Sequence, residues 1–154
     1  MSRVMIFLLC AVISIVTASP DPTEYAGCRS PDPQVRADAF YDIFNADDYD
    51  GPTPWAEALE GLSTHEILVL LGAPDRVSTL HYEGVTWRYA HYELPLRPIR
   101  ASAEAYAQGW RFTPAVLFRN EEAVNFQRMY EELDLKFYSM LPERFRFKPG
   151  GTFP

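Results

Sequence analysis

Apolar side chains recur along this chain with two different periods, and the change of period marks the elements. Ala37, Phe40, Tyr41 and Phe44 stand at helical spacing behind Asp32 and Pro33, an N-cap followed by proline at the first helical position. They predict a helix over 33–45. Asn45 to Pro52 is rich in turn formers. Thr53-Pro54 then repeats the cap-plus-proline signature, and Trp55, Leu59 and Leu62 predict a short helix ending near Gly61. The next helix has both ends specified. Ser63 is placed to cap it, Glu66 three residues on completes a capping box, and Leu62 and Ile67 are spaced as a hydrophobic staple. Ile67, Leu70 and Leu71 share one face. Gly72 can close the helix in a left-handed conformation, and Pro74 forbids its continuation. Two turns are too few to persist alone, so this face has to dock on something.

From Arg76 the period falls to two. Ser78, Leu80, Tyr82, Val85, Trp87 and Tyr89 alternate with Val77, Thr79, His81, Thr86, Arg88 and Ala90, which predicts a β-hairpin turning at Glu83-Gly84. A two-residue turn sets Leu80 opposite Trp87 and Tyr82 opposite Val85. A three-residue turn with Gly84 in a bulge pairs the faces differently. The first register segregates the residues better. It leaves Thr79, His81, Thr86, Arg88 and Tyr92 on the solvent face, and it lays the short capped helix across the ribbon with Trp87 as its support.

Leu94 to Arg100 holds Pro95 and Pro98 and predicts an extended connection or edge. Ser102 to Gln108 predicts one or two helical turns, and Thr113 to Arg119 a third strand. Asn120-Glu121-Glu122 admits two continuations: a turn before a fourth strand over 123–127, or a cap opening a helix through Met129, Tyr130 and Leu133. In the tail, Phe145 and Phe147 alternate with Arg144, Arg146 and Lys148 ahead of Pro149-Gly150-Gly151, the pattern of a short edge strand.

Residues 1–18 stand apart from this plan. Arg3 precedes an apolar run from Val4 to Val16, and Val16-Thr17-Ala18 supplies the small residues of a cleavage site, which reads as a secretion signal. The run is shorter than the roughly 20 residues of a membrane span. The expected organisation is a signal peptide over 1–18, an irregular arm over 19–31, one α+β domain over 32–141, and a tail over 142–154. The protein is then secreted or periplasmic, with membrane association only if the leader stays or Cys28 is lipidated. Cys10 leaves with the leader, so Cys28 has no intramolecular partner. It is open to three fates: a free surface thiol, an intermolecular disulfide, or a lipidated N-terminus. The formal net charge of −7 argues against nucleic acid as a partner.

Gly61, Leu62, Ser63, Glu66 and Ile67, the apolar turn ending Leu71-Gly72 before Pro74, and then Trp87 and Tyr89 on a hairpin together resemble the SmpA/OmlA (BamE-like) domains over about 61–127. Val116-Leu117-Phe118 through Val124 is similar to that family's later strand pair, which favours the strand after Asn120. The resemblance implies short helices packed on one face of a small antiparallel sheet, as in β-lactamase-inhibitor modules. It also implies an envelope protein that binds protein. This chain departs from the pattern in the weak lipid signal at Cys28, a long insert between Tyr92 and Thr113, and an extension after Gln127.

Catalytic chemistry finds little support in the pattern. In either hairpin register His81 and His91 lie about 17 Å apart at roughly 3.4 Å per residue, too far to share a zinc ion; His65 falls on the exposed side of its helix. Asp48, Asp50, Gly51 and Glu57 resemble part of a calcium loop, but Ala46 takes the first ligand position, and Pro52 and Pro54 break the backbone. The Ser63 hydroxyl is assigned to its cap. No phosphate loop or nucleophile elbow is present. The expectation is a protein with no catalytic residues, metal or cofactor, whose docking surface is Thr79, His81, Thr86, Arg88 and Tyr92. Trp87 and Tyr89 read as core rather than as an aromatic binding patch. An inhibitor of a secreted enzyme using the same sheet face is the alternative. A hydrolase built in the C-terminal third, on positions such as Glu131 or Asp134, is the second.

Overall fold

The computed structural model describes residues 20–44, 56–96, 107–109, 111–134, 147–150 and 153. Helix α1 (Pro33–Ile43) starts where the Asp32 carboxylate accepts from the amides of Gln34 and Val35. Glu57–Leu59 is a single 3-10 turn; the Thr53–Trp55 entry expected before it, the acidic loop and most of the helical turn expected at 102–108 lie outside the described residues. Helix α2 (Thr64–Leu71) has its full capping box. The Ser63 hydroxyl accepts from the Glu66 amide at 3.2 Å, and the Glu66 carboxylate accepts from the Ser63 amide at 2.7 Å. Gly72 ends the helix with its amide on the Leu68 carbonyl and with φ +81°, ψ −176°. That ψ lies outside the left-handed helical region expected for it, in a region essentially confined to glycine.

Strands β1 (Arg76–Tyr82) and β2 (Val85–His91) pair Leu80 with Trp87 and Tyr82 with Val85, the register of a two-residue turn. Glu83 at φ +48° and Gly84 at φ +79° are the successive positive-φ residues of a type I′ turn. Strands β3 (Leu94–Pro95) and β4 (Arg111–Phe112) form a separate pair. Strand β5 (Ala115–Arg119) lies beside β2 and turns at Asn120 into β6 (Glu122–Ala123). Both continuations foreseen after Asn120 occur in shortened form. Two residues of strand come first, and then helix α3 (Phe126–Glu132), capped by Asn125, whose side chain accepts from the Arg128 amide at 3.0 Å. Strand β7 (Lys148–Pro149) borders β1, so the main sheet runs β6-β5-β2-β1-β7. The fold is α+β.

The helices do not share one face of this sheet. Alternate residues of β2 and β5 belong to two separate cores. Ala90, Tyr92, Val116 and Phe118 pack with Phe40 and Phe44 from α1 and Ile67, Leu70 and Leu71 from α2. Leu80, Trp87, Tyr89, Ala115 and Leu117 pack with Val124 and with Met129 of α3. Trp87 is buried, at 1% exposure, but on the side away from α2. It therefore supports α3, not the short capped helix. The stripe that looks polar at Thr79, His81, Thr86 and Arg88 turns apolar at Ala90 and Tyr92, and α2 docks there.

The segment expected to be an irregular arm enters the first core. Ala26–Arg29 forms a 3-10 turn that buries Tyr25 and Cys28 against α1 and α2. Gly27 makes this possible, because a Cβ there would stand 2.8 Å from the Ala39 Cβ. The Arg29 guanidinium donates to the Val69 and Leu70 carbonyls in the last turn of α2, where positive charge suits the helix dipole. On the other side, Arg119 pairs with Glu132 at 2.7 Å and Arg128 with Glu122 at 3.5 Å. Such partly exposed pairs contribute about 0.2–1 kcal/mol each, against roughly 2–3 kcal/mol for burying a side chain the size of Leu117 or Met129. The apolar layer fixes α3.

Removing the α2 cap with Ser63→Ala is expected to cost about 1 kcal/mol, read as a lower urea midpoint. The Ser63 amide and hydroxyl hold the Glu66 carboxyl below its ordinary value of 4.5. Its contribution is therefore complete above that unfolded value and is lost as pH falls through the folded one. The stability difference between wild type and Glu66→Gln should shrink between neutral pH and about pH 3, measured by urea unfolding at both.

Candidate functional site

Four of the five expected docking residues come together at the turn end of the hairpin, on the face whose other end carries α1 and α2. They form two cross-strand pairs, Thr79 with Arg88 and His81 with Thr86. His81 Nδ1 and Thr86 Oγ1 stand 3.0 Å apart. The turn at Asn120 braces this patch from β5. Its side-chain oxygen accepts from the Thr86 amide at 3.0 Å, its own amide donates to the Thr86 carbonyl at 2.6 Å, and its carbonyl accepts from Arg88 Nη1 at 2.8 Å. Thr79 donates from Oγ1 to the Gly150 carbonyl at 2.9 Å. His81 is exposed and Thr79, Thr86 and Arg88 are half-buried.

Tyr92 is not part of this surface. It lies on the same face but at the far end, at 0% exposure, with its ring 4.9 Å from Phe40 and its hydroxyl donating to the Gly72 carbonyl at 3.2 Å. Burial raises its phenol above the ordinary value. Its role is to seat the end of α2. The expectation failed because alternation assigns a face but not what covers it.

Asn120 and Gly150 were missed as parts of the patch. The sequence does carry a signal for Asn120, since it stands at a tight turn with φ +55°, where asparagine is tolerated better than most residues. The contact of Gly150 with Thr79 depends on where the tail lies and has no local signal.

The arrangement offers a hydroxyl pair, an imidazole and a guanidinium, which suits hydrogen bonding to an acidic or backbone-rich partner. It places no activated nucleophile beside a base. The Ser63 hydroxyl is engaged, donating to Glu66 Oε2 at 2.7 Å, and His65, Glu131 and Asp134 lie exposed. Gly61 and Pro74 flank α2, and Tyr89, at 7% exposure, joins Trp87 in the core. His91 stands five residues from His81 along the ladder, stacked on Tyr89 at 5.5 Å, and burial and then Arg76 lower its pKa. No group of three metal-ligand side chains gathers among the described residues; Asp48, Asp50 and Gly51 lie outside them.

A concavity of about 280 Å³ opens between Cys28, Arg29, Arg36 and Gly72. Its guanidinium groups are already spent on structure. Besides the bonds of Arg29 to α2, Arg36 donates to the Cys28 carbonyl at 3.2 Å, pairs with Asp75 at 3.8 Å and lies over the rings of Phe40 and Tyr92. Cys28 itself is at 0% exposure, so it is no surface thiol and is closed to an intermolecular disulfide. Burial pushes its thiol up to about 12, against the opposing pull of Arg29 and Arg36.

The folded protein should therefore react with a thiol reagent at neutral pH at least about a hundredfold more slowly than the urea-unfolded chain, followed by absorbance. Tyr92→Phe is expected to cost about 1 kcal/mol in urea unfolding. No protein-family model, curated protein or solved structure matches this chain.

Proposed function

We propose that this chain is a non-catalytic protein-binding module of the cell envelope, similar to SmpA/OmlA (BamE-like) domains. In this proposal it is secreted or periplasmic once a leader ending near Ala18 is removed. One observation carries the reading. Helices α1 and α2 precede the antiparallel strands β1, β2 and β5 and pack against one face of them, like the two helices on one face of a small antiparallel sheet in the domains that 61–127 resembles. The motif residues around α2 support the reading, whereas Trp87 and Tyr89 lie in the core beneath α3. Ser63 and Glu66 cap α2, Gly72 ends it, and the Gly61 amide ties its approach to Ala123 of β6 at 2.8 Å. The helix α3 on the opposite face is a departure from the pattern. It leaves the turn end of the α1/α2 face, with Thr79, His81, Thr86 and Arg88, as the docking surface. An acidic chain with this patch suits a protein partner rather than nucleic acid.

Arg88→Glu reverses the charge at the centre of the patch. Cross-linking of the purified chain in envelope extract should yield a defined partner, and the variant should lose at least about tenfold in affinity for it, roughly 1.4 kcal/mol, while keeping its circular dichroism spectrum. Equal recovery by wild type and variant would remove the patch from the proposal. Intact-mass measurement of the exported protein should give an N-terminus near Ser19; a lipid mass on Cys28 would replace the free form with an anchored one.

A further inference from the structure

The two edges of the main sheet are finished differently. At β6 the cover is the chain entering α2: the Gly61 amide donates to the Ala123 carbonyl, the Ala123 amide to the Leu62 carbonyl at 2.7 Å, and the Thr64 amide to the Glu121 carbonyl at 2.9 Å. At β1 the cover is the C-terminal segment. Ser78 and Thr79 face Pro149 and Lys148, and the Gly150 amide donates to the Val77 carbonyl at 2.9 Å. Backbone groups of an antiparallel strand alternate between its two neighbours. Val77, Thr79 and His81 therefore aim theirs at this edge, while Ser78 bonds to β2. Pro149, opposite Ser78, turns its nitrogen outward, where the missing N–H stops a further strand from adding. Two half-buried rings complete the hold, one on each face. Phe147 stands edge-on to Tyr89 at 4.5 Å, and Phe153 edge-on to Phe118 at 5.5 Å. The tail thus plugs an edge that adjoins the Thr79–Arg88 patch.

We propose that the outer edge of β1 is a strand-acceptor site, filled in cis by residues 147–150 with Phe153 and taken in trans by an extended segment of a partner protein that sets an aromatic side chain on each face of the sheet. This rests on the protein-binding reading above and names its mode of contact, strand addition at β1. The cis segment defines the chemistry of the ligand: main-chain bonds to Val77 and Thr79, an aromatic ring toward Tyr89, and another toward Phe118. A tethered plug competes at high effective concentration, so the site binds weakly until the plug is loosened.

The test titrates a fluorescent synthetic peptide of residues 147–154 onto the full chain and reads anisotropy. Saturable binding is expected. It should tighten at least about tenfold on the full-length Phe153→Ala variant, because a weaker plug raises the open fraction. Phe147→Ala should act in the same direction from the other face. A peptide carrying alanine in place of Phe153 should bind more weakly to every protein. No binding to wild type or either variant, or equal affinity for all three, overturns the proposal. A dimer of the untreated chain that the peptide dissociates would assign the edge to a second copy and overturn the separate partner. Peptide binding does not depend on Arg88, so loss of the patch in the Arg88→Glu experiment and loss of the edge here are separate results.

Discussion

Strand β2 lies between β1 and β5, and with β5 it has to be covered on both faces. Everything else in the fold answers that requirement. A strand with one wet face needs a single apolar stripe, but Tyr89-Ala90 and Leu117-Phe118 send successive side chains into opposite cores. Each core is then roofed by helices that could not persist in isolation: α1 and α2 over one, α3 over the other. The stability of each short helix is thus a property of the sheet beneath it. The pairing of β2 with β5 holds the halves together, since Ala90 against Val116 serves one core and Tyr89 against Leu117 the other.

Local features were legible in the sequence because each has a short-range cause. The Asp32 and Ser63 caps, the Gly72 stop, the Glu83-Gly84 turn and its register follow from residues at most a few positions apart. The long-range assignments were less legible. Nothing within the hairpin says that α2 would choose the Ala90 and Tyr92 face over the Trp87 face. That choice is decided by β5, whose residues are apolar on both sides, and by Asn125, which starts a helix able to roof the second face. Tyr25 and Cys28 went unrecognised as core for a similar reason. The stretch around them is polar at Asp21, Thr23, Glu24, Arg29 and Ser30, and its packing comes from distant contacts such as the approach of Gly27 to Ala39. Of the candidate patch, the members on the two hairpin strands are readable from alternation, Asn120 is readable as a turn residue but not as the neighbour of Thr86, and Gly150 belongs to it through the tertiary fold alone.

The patch and the tail share one structural logic. Asn120 ties the turn end of β2 to β5, and Gly150 ties Thr79 of β1 to the C-terminal segment. Both braces use backbone carbonyls, so they fix the positions of Thr79, Thr86 and Arg88 while leaving the His81 imidazole exposed at the rim. A surface made rigid in this way loses less side-chain freedom when something docks on it.

Cys28 has a consequence for timing. Its side chain is buried with Tyr25 in the core that α1 and α2 cover, in a turn held by Arg36 of α1 on the Cys28 carbonyl and by Arg29 on the end of α2. Any reagent or enzyme that modifies this thiol has to meet the polypeptide before collapse. Once the turn has formed the sulfur is sealed, and folding itself closes that window.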